Sequence, residues 1–125
     1  MRALVLDAGA LIALENRDRR MLALAREIVR ARAAAHVAAG VVAQVWRGSA
    51  RQHPLVRLLR ADALRIHALT AATAYQIGLL LASSGTTDVV DAHVALLGRS
   101  LGARVVTSDP GDLLRLDAKL EIVTV

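Results

Sequence analysis

A chain of 125 residues with 55% hydrophobic content can bury one core but not two, and none of its apolar runs reaches the ~20 residues that cross a bilayer. Its net charge of +5 rests on 16 basic residues of which only Lys119 is not arginine, a composition suited to phosphate because guanidinium forks match phosphate oxygens. Cysteine is absent, which excludes disulfides and thiolate metal sites, and Trp46 and Tyr75 are the only aromatics, too few for a platform on which bases stack.

In chain order, residues 3–6 form an apolar run of the kind that becomes a buried parallel strand, and it ends at Asp7. An acid so soon is unlike a secretory signal, so the expected compartment is the cytoplasm, with no membrane partner. Leu22, Ala25, Ile28 and Val29 make a helical stripe after the basic run Arg17, Arg19 and Arg20, which Glu15 and Asp18 partly cancel. Residues 35–38 are a weaker strand candidate, and Trp46 reads as a packing or interface residue. His53-Pro54 opens a helix carrying Leu55, Leu58 and Leu59, followed by a strand candidate at 64–67. A third stripe runs through Ala71, Ala74, Tyr75, Gly78 and Leu81 to the loop 83–87, where Thr87 is placed to cap a helix beginning at Asp88 and carrying Val90, Val94 and Leu97. Residues 103–106 are a second apolar strand, Asp109-Pro110 puts proline at a first helical position, and 120–124 is the last strand candidate. This alternation predicts one α/β domain over residues 1–125, a three-layer α/β/α fold around a parallel sheet of four to five strands.

In such sheets ligands sit beyond the carboxyl ends of the strands, where the strand order reverses. Asp7 ends the first strand; Asp109 follows a later one, with Thr107 and Ser108 between; Asp88 and Asp91, three apart, share a face of a first helical turn. Carboxylates packed together repel unless a cation neutralises them. Oxygen ligands favour Mg²⁺ or Mn²⁺ over Zn²⁺, and such an ion activates water and polarises a phosphoryl oxygen, as phosphodiester hydrolysis requires. Singly, each acid has a plainer role: Asp7 and Asp109 as helix caps, Asp88, Asp91 and Asp112 as first-turn complements to a helix dipole. Their joint occurrence at corresponding strand ends carries the metal-site expectation, with Thr107, Ser108 and Asp112 as candidates to position substrate or water. His36, His53, His67 and His93 are scattered and read as core, edge or loop residues.

Three segments give the chain a resemblance: Val-Leu-Asp-Ala-Gly-Ala-Leu-Ile-Ala-Leu around Asp7, Asp88-Val-Val-Asp-Ala-His-Val-Ala-Leu-Leu, and Val105-Val-Thr-Ser-Asp-Pro-Gly-Asp. Over essentially its whole length it resembles the PIN-domain ribonucleases, and most closely the VapC-like toxins of type II toxin-antitoxin pairs. The resemblance implies an Mg²⁺- or Mn²⁺-dependent endoribonuclease in which Asp7, Asp91 and Asp109 are metal-site acids, Asp88 an additional acid and Thr107 the hydroxyl residue preceding the last acid. It also implies a homodimer inhibited by a small antitoxin. One position departs: where the family usually has Glu after the second strand, Gln44 stands here, keeping an amide oxygen but losing a charge and a base. Gln44 therefore favours an alternative, a catalytically weak or inactive member that binds an antitoxin and, as a complex, operator DNA. A phosphatase or receiver-like domain fits poorly, since no second acid adjoins Asp7. Arg17, Arg19, Arg47, Arg51 and Arg99 are candidates for RNA contact, and a surface including Trp46 and Leu55 for the dimer face.

Overall fold

The computed structural model of the chain describes residues 2–125. Strands β1 (Leu4–Leu6), β2 (Ala35–Ala38), β3 (Leu64–His67), β4 (Arg104–Thr107) and β5 (Ile122–Thr124) form one parallel sheet in the order β3-β2-β1-β4-β5. Among the described residues seven helices connect them: α1 (Ala8–Glu15), α2 (Arg19–Val29), α3 (Ala39–Val45), α4 (His53–Leu59), α5 (Ala71–Ser84), α6 (Val89–Leu101) and α7 (Pro110–Leu116). One layer is built on α1, which packs on α2, α3 and α4, and the other on α6, which packs on α5 and α7. This is the three-layer α/β/α arrangement expected from the alternation.

The chain winds outward from β1 through β2 to β3, then returns to place β4 on the other side of β1. The strand order therefore reverses at β1, and the ends of β1 and β4 lie side by side in the register Leu6↔Val106. Both strands are buried because layers cover both faces: Leu4, Val5, Leu6, Val105 and Val106 are all core residues. Each such side chain contributes about 1.5–3 kcal/mol on burial, so the sheet centre is a rigid base for whatever projects from its end.

Five local expectations are corrected. The strand expected at 103–106 runs from Arg104 to Thr107, because the Ala103 N–H is held by Gly98 O at 3.0 Å in the turn that ends α6. Helix α5 continues through Ser84, where serine hydroxyls bond back to the carbonyls of Leu80 and Leu81 and Gly85, at φ 69°, ends the helix. The cap of α6 is Asp88, not Thr87. The buried face of α5 carries Ile77 and Leu80, leaving Ala71, Ala74, Tyr75 and Gly78 exposed. Its apolar residues run all round the helix, so spacing alone does not choose a side. Leu55 is 1% exposed and belongs to the core, which removes it from any dimer face.

Candidate functional site

Asp7 leaves β1 and caps α1: its backbone is extended, and its carboxylate accepts from Ala10 N at 3.1 Å. Burial pushes the Asp7 carboxyl above its ordinary range; the Thr107 hydroxyl and the backbone of Ala10 and Gly9 oppose that rise, and the charge of Asp109 adds to it. Thr107, fully buried at the end of β4, also accepts from Asp109 N at 3.0 Å. One hydroxyl thus ties the carboxylate after β1 to the backbone after β4. Asp109 occupies the cap position of α7 but makes no side-chain cap bond, and its exposed carboxylate is in no hydrogen bond among the described residues. Ser108 is exposed and packs on Gly9.

On the other helical layer, the Asp88 carboxylate caps α6 by accepting from Asp91 N at 2.9 Å. Asp91, half-buried in the first turn, is held up to about 6, first by burial and then by the charges of Asp88, Asp112, Asp7 and Asp109. No cation is among the groups acting on Asp91 or Asp7. Beside Asp91 lies a cleft of about 310 Å³ lined by Thr86, Thr87, Asp88, Asp91, Asp112 and Arg115, with Gly85 and Leu116. Asp112 is therefore more than a helix-dipole acid, since it shares the cleft and raises Asp91.

The structure divides the single pocket expected from the sequence into two subsets. Asp7 and Asp109 stand at the strand ends, joined through Thr107; Asp88, Asp91 and Asp112 line the cleft; Asp91 feels the charge of both. Among the described residues no three acidic or histidine side chains stand close enough to hold one ion. Gln44, exposed in the last turn of α3, lies outside the cleft, and among the described residues its amide makes no hydrogen bond. Arg115 is the residue that sequence reading misses: nothing marks it among so many arginines except its position three residues after Asp112 on the same helix.

The histidines lie elsewhere. His36 Nδ1 and His67 Nε2 are 2.8 Å apart on neighbouring strands, and His93 is buried in α6, where burial and His67 push its pKa down. They are core and edge residues, as expected.

The fold is similar to that of PAE2754 from Pyrobaculum aerophilum, with a TM-score of 0.61 at 17% identity over 98% of this chain and 91% of that one. It is also similar to FitAB bound to the IR36 DNA fragment, with a TM-score of 0.66 at 16% identity over 97% and 94% of the two chains. A third similar structure is VapBC2 from Rickettsia felis bound to a DNA fragment from its promoter, with a TM-score of 0.67 at 14% identity over 98% of each chain. No curated protein matches the chain. The family model of the PIN domain matches residues 4–119, spanning Asp7 through Asp112 and every strand but the last, and the chain belongs to the PIN-domain family.

Proposed function

We propose that this protein is a metal-dependent endoribonuclease toxin of a toxin-antitoxin pair, acting in the cytoplasm as one domain and hydrolysing RNA phosphodiester bonds. The observation that carries the reading is Asp91, whose carboxyl is raised to about 6 first by burial and then by the charges of four other carboxylates gathered around it. A structural cap needs one acid, and five without a neutralising cation are explained by a ligand that brings positive charge.

The donor chemistry fits Mg²⁺ or Mn²⁺, being carboxylate oxygen throughout. Among the described residues no three acids stand close enough to hold one ion, so Asp7, Asp91 and Asp109, with Asp88 as a further donor, would hold it only once drawn together, and when bound it would supply Lewis acidity toward water and the scissile phosphate. The rest falls to the chain. Thr107 fixes the Asp7 carboxylate and the Asp109 backbone at once. Asp91, raised to about 6, keeps its proton to a higher pH than an ordinary carboxyl in the free protein and would give it up at lower pH once the local charge is neutralised. Ser108, against Gly9, and Asp112, in the cleft beside Asp91, are the polar groups that would position water or substrate. Gln44 contributes an amide oxygen without charge and takes no proton.

For the partner, support comes from FitAB and VapBC2, which are complexes bound to DNA fragments. Gln44 favours the second reading, a weak or inactive nuclease that works through an antitoxin and operator DNA. A second copy of the chain is proposed to cover α5. Tyr75 and Leu79, one turn apart, are 80% and 74% exposed, and no Asp, Glu, Lys or Arg occurs from Ile66 to Thr87. A two-fold interface sets like against like, so an uncharged apolar face avoids the repulsion that a chain of net charge +5 meets elsewhere.

Induced expression in a bacterial host tests the toxin reading. Growth arrest by wild type and normal growth with Asp7→Asn at equal protein level supports it; equal growth with both contradicts it.

A further inference from the structure

Arg115 is the one cation among the residues lining the acidic cleft. It lies in the last turn of α7, three residues after Asp112, and the neighbouring Leu116 is buried, which fixes that turn against the layer formed by α5 and α6. Three carboxylates share its cleft, yet among the described residues the ion pairs involve Arg2, Arg99 and Arg104 and not Arg115. Nor is it among the charges acting on Asp91. Among the described residues its guanidinium is in no ion pair with the acids whose cleft it shares. Across the cleft the αL turn at Gly85 brings Thr86 and Thr87 to the lip. The Thr86 hydroxyl is engaged with Ser84 at 2.9 Å, whereas Thr87 is exposed and its hydroxyl is in no hydrogen bond among the described residues.

We propose that Arg115, with the Thr87 hydroxyl, forms a subsite for an RNA phosphate next to the one that is cut. The inference deepens the nuclease reading and rests on it. A polyanion approaching a cluster of carboxylates is repelled, and a guanidinium at the rim, offering paired N–H donors, both offsets the repulsion and fixes the strand's register. A cleft of about 310 Å³ is at the lower end of ligand-site sizes, suited to a single sugar-phosphate unit. The absence of an aromatic in the cleft is consistent with a contact that reads backbone and not base.

The test is fluorescence anisotropy of a short labelled single-stranded RNA with the full-length protein in EDTA, over a range of salt, beside cleavage of the same RNA in Mn²⁺. Arg115→Ala is expected to bind about tenfold more weakly, the loss of one charge-assisted contact, and to flatten the slope of log affinity against log salt by about 0.7. Arg115→Lys should restore the slope but not the full affinity, because an ammonium lacks the fork; a role limited to the helix terminus would not produce that split. In cleavage, KM should rise for Arg115→Ala while kcat holds. Arg104→Ala, at the opposite end of β4, serves as the control for general charge loss. If wild type cuts RNA and Arg115→Ala matches it in affinity and slope, the subsite is wrong and the nuclease reading stands. If wild type binds through Arg115 but never cuts, the subsite stands and the nuclease reading falls. A wild type that does not bind this RNA overturns the subsite, and cleavage of the same RNA in Mn²⁺ decides the nuclease reading by itself.

Discussion

Gly9 lies against Ser108, so close that a Cβ on Gly9 would fall 3.0 Å from the Ser108 backbone nitrogen, 3.2 Å from its Cβ, and in collision with its hydroxyl. The start of α1 and the turn after β4 are thereby pressed together, which sets Asp7 beside Asp109. Glycine near the start of a helix otherwise invites replacement, since alanine there gains about 0.5–1 kcal/mol from helix propensity. The contact reverses the sign. Gly9→Ala is expected to destabilise by about 1–3 kcal/mol, as overpacking does, and to weaken Mn²⁺ binding by displacing Asp109. Thermal unfolding and a Mn²⁺ titration check it; a variant more stable than wild type with unchanged Mn²⁺ affinity would show that the contact yields freely.

Asp91 should destabilise the metal-free protein above neutrality. Its folded pKa of about 6 lies above the ordinary 3.8, so between those values the folded chain binds the extra proton and wild type loses stability as pH rises toward 6. Asn mimics the protonated form. In EDTA at pH 8, Asp91→Asn is expected to gain on the order of 1 kcal/mol, the unscreened figure being reduced because Asp91 is only half-buried. At pH 4 the gain should vanish. An equal gain at both pH values would trace the effect to something other than charge.

Asp88 combines a cap with a charge, and asparagine separates the two because it caps a helix about as well. Asp88→Asn should leave stability within a few tenths of a kcal/mol of wild type. If Asp88 makes up for the missing acid at Gln44, the same variant weakens Mn²⁺ binding as much as Asp91→Asn does. Normal binding by Asp88→Asn removes that role. Protons compete with the cation at Asp91, so wild-type Mn²⁺ affinity should fall about tenfold per pH unit below about 6.

Self-association through α5 predicts that Tyr75→Glu with Leu79→Lys yields a monomer in sedimentation, with thermal stability close to wild type because both side chains are largely exposed. A dimer that survives both changes places the interface elsewhere, and Trp46, 42% exposed, is then the next surface to alter.

The strand ends are legible in the sequence because Asp7 and Asp109 interrupt or follow apolar runs whose burial on both faces leaves no other reading. Asp88 and Asp91 are legible through their spacing at a helix start. What spacing does not encode is the distance between layers. The division of the acids into two subsets depends on how α6 and α7 pack over the sheet, and Arg115 enters the cleft only through that packing. The buried side of α5 is hidden for a different reason, since a helix apolar all round offers no contrast between faces until a neighbour selects one.

The most direct test of the account is cleavage of a mixed pool of structured RNAs by purified protein in Mg²⁺, Mn²⁺ or EDTA, beside Asp7→Asn and Gln44→Glu. The account predicts cutting that needs the metal, disappears in Asp7→Asn and quickens in Gln44→Glu. No cutting by wild type in either metal, or cutting that persists in EDTA or in Asp7→Asn, would contradict it, and activity gained only in Gln44→Glu would identify a protein that binds without catalysing.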